Sequence, residues 1–134
     1  MKSIGDKAEY IPARNKDLYE VYKRKVSETR QIRLLDVLGE VVKSPAKRFY
    51  IGERQAQVAV TSLLNGRPVP GVRPERRRMY DEIYRRCLDA MSGGRAVPLA
   101  ELVREVIAQP APEFYLTPGS AKVILHYIRK EGRG

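Results

Sequence analysis

Apolar residues recur along this chain at spacings of three and four, the signature of helices with one buried stripe. Leu18, Val21, Tyr22 and Val26 form the first stripe, on a helix that begins near Asn15 or Lys16. Leu34, Val37, Leu38, Val41 and Val42 form the second. A third helix starts near Gly52-Glu53 and ends at Asn65-Gly66, where an αL-tolerant residue marks a C-terminal stop. Tyr80, Ile83, Tyr84, Cys87, Leu88 and Met91 stripe a fourth, which Gly93-Gly94 closes. Pro98 suits the first position of a fifth helix carrying Leu99, Leu102, Val103, Val106 and Ile107, and Pro110 and Pro112 prevent it from continuing. The sixth opens with Thr117 as N-cap and Pro118 at N1, then runs through Ala121, Ile124, Leu125 and Ile128.

The second and third helices are echoed by the fifth and sixth. Leu34–Leu64 lies over Leu99–Arg129 at one constant offset of 65, without gaps. Nine of the 31 aligned positions are identical, among them Pro45/Pro110, Ala46/Ala111, Phe49/Phe114, Tyr50/Tyr115 and Val58/Val123. Both phenylalanines of the chain fall on the same repeat position. Self-similarity at a fixed period indicates duplicated supersecondary units.

The expected fold is therefore all-α: two tandem three-helix units, packed with pseudo-twofold symmetry. The expected divisions are a tail over 1–14, a first repeat over 15–66, a basic linker over 67–78, a second repeat over 79–130 and a tail over 131–134. Units this small bury little surface alone, so the halves are expected to share a core, with two independent beads as the alternative. The common segment Pro-Ala-x-x-Phe-Tyr-(Ile/Leu) is expected to pack its phenylalanines inside. A short extended Phe-Tyr-Ile segment that pairs with its twin is a further possibility. Tyr50 and Tyr115 fit either packing or stacking on bases.

Composition narrows the class of partner. Of 134 residues, 43% are apolar, enough for a core, while 31% are charged. The apolar runs fall far short of the roughly 20 residues of a membrane span, and the N-terminal residues lack the apolar stretch of a secretory signal. Cys87 is the only cysteine, so no internal disulfide forms and a reducing cytoplasmic setting is expected. Lys and Arg number 26 against 16 acids, a net charge of +10. Each half carries 13 basic and 8 acidic residues, so neither is a neutral partner of the other. Such a balance favours a polyanion, first of all nucleic acid.

The candidate contact residues fall in three groups. The linker offers Arg67, Arg73, Arg76, Arg77 and Arg78 between prolines, planar forks suited to phosphate oxygens. Lys23, Arg24 and Lys25, with Arg30 and Arg33, span the end of the first helix and the turn after it. Lys47 and Arg48 flank the Phe-Tyr segment, and Arg54 and Gln55 open the third helix, where side chains can reach base edges. In the second copy Pro112-Glu113 replaces Lys47-Arg48, which makes the first unit the better candidate. The eight residues from Pro45 to Gly52 exceed the three- or four-residue turn of a helix-turn-helix.

Little points to catalysis. One histidine, His126, and one cysteine leave scant material for a metal site or a Cys–His pair, and no phosphate-cradling glycine loop is present. No catalytic residue, metal or cofactor is expected. The sequence thus leads to a small, basic, non-enzymatic nucleic-acid-binding protein, with DNA favoured over RNA. The alternative is a helical adaptor that binds an acidic protein or associates with itself.

Overall fold

A computed structural model describes residues 7–29 and 33–131 of the chain. Among them the fold is all-helical: α1 (Lys7–Glu28), α2 (Leu34–Val42), α3 (Glu53–Leu64), α4 (Pro74–Ser92), α5 (Leu99–Ile107) and α6 (Pro118–Glu131). Four of the six helices begin and end where the apolar stripes place them. Their ends follow local chemistry. Thr117 Oγ1 accepts the Ser120 N–H at 3.1 Å and caps α6. Asn65 closes α3 as expected, and Gly66 takes a φ of 73°, so that the Arg67 N–H reaches back to Ser62 O at 2.9 Å. Gly94, at φ 89°, closes α4 in the same way through Arg95 N–H and Ala90 O.

Two boundaries differ from expectation. Helix α1 starts at Lys7, inside the segment read as a 1–14 tail. Its stripe continues upward through Tyr10, which is 3% exposed, but Arg14 interrupts it. Arg14 is half-buried at that stripe position, so its charge disguises a helical position. Helix α4 starts at Pro74, not after residue 78, with Arg73 at its N-cap. A proline at N1 is pre-set for the helix, so α4 claims Arg76, Arg77 and Arg78 from the supposed linker.

Packing follows a pattern that periodicity did not reveal. The third helix of each half leaves its own half: α3 packs on α4 and α5, and α6 packs on α1 and α2. Among the described residues, α3 makes no packing contact with α1 or α2, and α6 none with α4 or α5. The chain is therefore not two separate beads. The buried residues form one hydrophobic core, with Leu18, Leu38, Phe49, Ile51 and Ile83 fully enclosed.

The two halves cross at the segments 45–51 and 110–116. The expected Phe-Tyr-Ile ribbon is absent among the described residues. A single antiparallel bridge joins Ala46 and Ala111 instead, with N–H···O distances of 3.0 Å both ways. Beyond it the chains turn into the helix ends: Phe49 N–H donates to Ile107 O, and Phe114 N–H donates to Val42 O. Those carbonyls lie at the free C-terminal ends of α5 and α2, so helix ends substitute for further strand pairing. The rings interleave, Phe49 stacking on Tyr115 with centroids 6.0 Å apart and Tyr50 on Phe114 at 6.2 Å.

Asp17, a buried acid of α1, pins this crossing to the first helix. Its Oδ2 accepts the Tyr50 O–H at 2.6 Å and the Lys47 backbone N–H at 2.8 Å. Burial first, and then the carboxylate that its proton serves, hold the Tyr50 hydroxyl well above the ordinary phenol range. Cys87 is fully buried on α4, and burial pushes its thiol up to about 11. A thiolate is the reactive form, so Cys87 is expected to resist a thiol-specific reagent at neutral pH until the protein unfolds. Fast, stoichiometric labelling of the native protein would contradict the enclosed position.

Candidate nucleic-acid interface

The exchange of third helices brings basic residues from distant parts of the sequence together. The C-terminal half of α6 lies beside α1 and α2 over a groove of about 360 Å³. Tyr22, Leu34, Leu38 and Leu125 form its apolar lining, and Lys122, His126, Arg129 and Lys130 supply its polar groups. A second groove of about 340 Å³ adjoins it on the α1 side, where Tyr19 and Val26 meet Lys23. Tyr22 and Arg129 belong to both. The Lys23 ammonium sits 4.8 Å from the Tyr19 ring centroid, a cation–π contact that keeps it on this face.

Lys23, Lys122, Arg129 and Lys130 make no ion pair among the described residues. Among the described residues some other cations are paired with acids of the same chain, such as Arg78 to Glu113 at 3.0 Å, Arg104 to Glu53 at 3.1 Å, Arg95 to Glu105 at 2.7 Å and Arg86 to Glu82 at 2.8 Å, while Arg14, Arg48, Arg54, Arg67, Arg73, Arg76 and Arg77 form no ion pair. Exposed pairs of this kind contribute little stability, but they cancel the local field that would attract a polyanion. The four cations of the α1–α6 face have no such partner among the described residues.

The residues expected to touch a polyanion divide accordingly. Lys23 lines the α1–α6 face, and Arg24, Lys25 and Arg33 lie next to groove residues in sequence and carry no ion pair among the described residues. Arg30 lies outside the described residues. Lys47 pairs with Glu20 at 3.2 Å, and Arg78 pairs with Glu113. The Arg48 guanidinium donates to Phe49 O and stands 5.7 Å from the Tyr50 ring centroid, a fixed structural position. Gln55 Nε2 donates to the Tyr80 hydroxyl at 2.9 Å, so that this side chain binds α3 to α4. Tyr50 and Tyr115 are 7% and 9% exposed, which makes them packing residues and excludes base stacking on their rings.

Arg54 and Arg67 flank a third depression, about 450 Å³, along the outer side of α3 with Gln57, Val58 and Asn65. Arg73 and Arg76 instead line a cleft of about 420 Å³ between the start of α4 and the start of α6. Arg77 is exposed on α4 without an ion pair among the described residues.

Sequence reasoning missed Lys122, Arg129 and Lys130. The signal was present, since Arg129 and Lys130 occupy the last turn of α6, where cations meet the helix dipole. What was hidden is their neighbour: nothing in the stripe says that α6 packs on α1. Among the described residues no group of three metal-ligating side chains converges, and no helix is long and apolar enough to cross a membrane. Comparison with known protein families, curated proteins and solved structures gave no match.

Proposed function

We propose that this protein is a non-enzymatic nucleic-acid-binding protein of a reducing, cytoplasmic setting, with DNA favoured over RNA. The observation that carries the reading is the α1–α6 face, where four cations from both halves surround two adjoining grooves and none forms an ion pair among the described residues. Lys and Arg at such a face replace counterions condensed on phosphates, the main source of affinity for any nucleic acid. The exposed Tyr127 and the half-buried Tyr19 and Tyr22 add aromatic surface to the same region.

The same reading takes the chain as an internal duplication with pseudo-twofold symmetry. It is supported by contacts that exchange partners at the offset of 65: Phe49 to Ile107 with Phe114 to Val42, and Phe49/Tyr115 with Tyr50/Phe114. The outer faces of α3 and α6 are then counterparts, with Gln57, Thr61 and Asn65 standing where α6 has Lys122, His126 and Lys130. The α6 copy carries the charge and the α3 copy carries the neutral polar groups.

The test is fluorescence anisotropy with duplex DNA, single-stranded DNA and RNA across about 50 to 200 mM salt, where phosphate contacts lose most of their affinity. Replacing Lys122, Arg129 and Lys130 together by Gln removes up to three phosphate contacts. The log–log salt slope is expected to flatten by roughly 2 to 3, at about 0.9 per contact on duplex DNA. An unchanged slope would reject the face. One observation favours an adaptor as the second reading: Leu34 and Leu35 beside the groove are 40% and 63% exposed. Binding that vanishes at the upper salt limit equally for all three nucleic acids would point to a carboxylate-rich protein partner.

A further inference from the structure

The cleft between α4 and the start of α6 has an excess of hydrogen-bond donors over acceptors. Arg73 and Arg76 line it from α4, with Glu75 as the one acid among its lining residues. Arg76 buries its Nη1 without a hydrogen-bond partner among the described residues. Buried guanidinium nitrogens are ordinarily paired, because an unpaired one forfeits its hydration without compensation. Tyr80, 4% exposed, accepts the Gln55 amide, and its own proton has no acceptor among the described residues. Thr117 and Ser120 at the start of α6 complete its polar lining. Arg14 on α1 lies close enough to Arg76 for the two charges to repel, and burial and that repulsion both lower its pKa. The two nearby guanidinium groups lack a shared counter-ion among the described residues.

We infer that this cleft takes a phosphate group, either free or as part of a phosphomonoester or a nucleic-acid backbone, held by Arg76 and Arg73 with the Tyr80 hydroxyl as a further donor. A phosphate offers several acceptor oxygens and a negative charge, which match two arginine forks and an O–H group. The volume of about 420 Å³ exceeds what inorganic phosphate needs and leaves room for the sugar of an ester. The assignment is separate from the α1–α6 face and does not depend on it.

The experiment is thermal unfolding of the full chain in about 10 mM inorganic phosphate against sodium chloride of matched ionic strength. Phosphate at tenfold its Kd is expected to raise Tm by about 4 °C. Arg76→Met should lose that shift and unfold at a higher temperature than wild type without phosphate, because it removes a buried nitrogen that has no partner among the described residues. Arg73→Gln should weaken phosphate by roughly tenfold, the usual worth of one charge-assisted bond. A short DNA duplex forms the second arm. Protection by the duplex but not by inorganic phosphate, lost in Arg76→Met, assigns the site to a backbone phosphate.

The Lys122/Arg129/Lys130→Gln variant separates the two readings, since it should keep the phosphate shift even if nucleic-acid binding falls. Equal melting of wild type in phosphate and chloride, with the duplex protecting wild type and Arg76→Met alike, would overturn the inference. If Arg76→Met does not fold, the wild-type Arg76 Nε–Hε resonance decides: movement on adding phosphate or the duplex supports the site, and no movement with either refutes it.

Discussion

Phe49→Ala is expected to cost about 3 to 5 kcal/mol of stability, the usual range for deleting a buried phenyl ring. Few single changes in the chain should do more harm. The ring is fully buried, stacks on Tyr115 and carries the Arg86 guanidinium 4.9 Å from its centroid. Its backbone N–H also binds Ile107 O. All of these partners belong to the second half of the chain, so the cavity would open at the crossing itself. A domain of this size has roughly 5 to 15 kcal/mol in total, so the variant would approach the limit of folding at 37 °C. Denaturant unfolding measures the loss, with Val58→Ala as a control. Val58 is 60% exposed, and truncating it should cost about 0.5 kcal/mol or less. A cost for Phe49→Ala below about 1.5 kcal/mol would mean that neighbouring groups refill the site and that the crossing is not a rigid joint.

The segment 67–134 made alone is expected not to fold as a monomer. It contains α4, α5 and α6, but the helix that covers α4 and α5 is α3, and α6 packs on α1 and α2. Residues on α5 such as Val103 and Val106 would lose their cover, and α6 would have no apolar surface to meet. An isolated helix of this length is marginal in water without such packing. Mixing 67–134 with 1–66 should restore helicity and a cooperative transition, because the exchanged contacts can form between separate chains. Circular dichroism with sedimentation analysis reads both outcomes. A monomeric 67–134 segment that unfolds cooperatively would show that the exchange is not what holds each half.

The sequence made the helices legible and left their partners hidden. Leu99–Ile107 is apolar on one face and bounded by prolines, and the structure places α5 on those residues. Thr117 and Pro118 announced the start of α6 for the same reason, since cap and first-turn chemistry are local. Arg14 and Pro74 misled because one residue type serves two purposes: a charged head on an apolar stem, and a breaker that is also a good first residue. Periodicity gives the direction of a buried face but not what covers it, so exchange of α3 and α6 could not be read. The candidate interface suffered from the same gap. Lys23 stood out within a run of cations, while Lys122, Arg129 and Lys130 gain meaning only once α6 lies against α1.

The crossing also bears on how freely the two halves can change. Ala46 faces Ala111 across the bridge, and each phenylalanine meets the tyrosine of the opposite segment. A larger residue at Ala46 would collide with a position that is already filled, so a tolerated change there calls for a matching one at Ala111. The rest of the same segments is under no such pairing. At the sequence offset of 65, Lys47 and Arg48 correspond to Pro112 and Glu113, and Glu113 pairs with Arg78. Buried joint positions and more open ones therefore sit side by side within seven residues, so the joint constrains some side chains and leaves their neighbours free to differ.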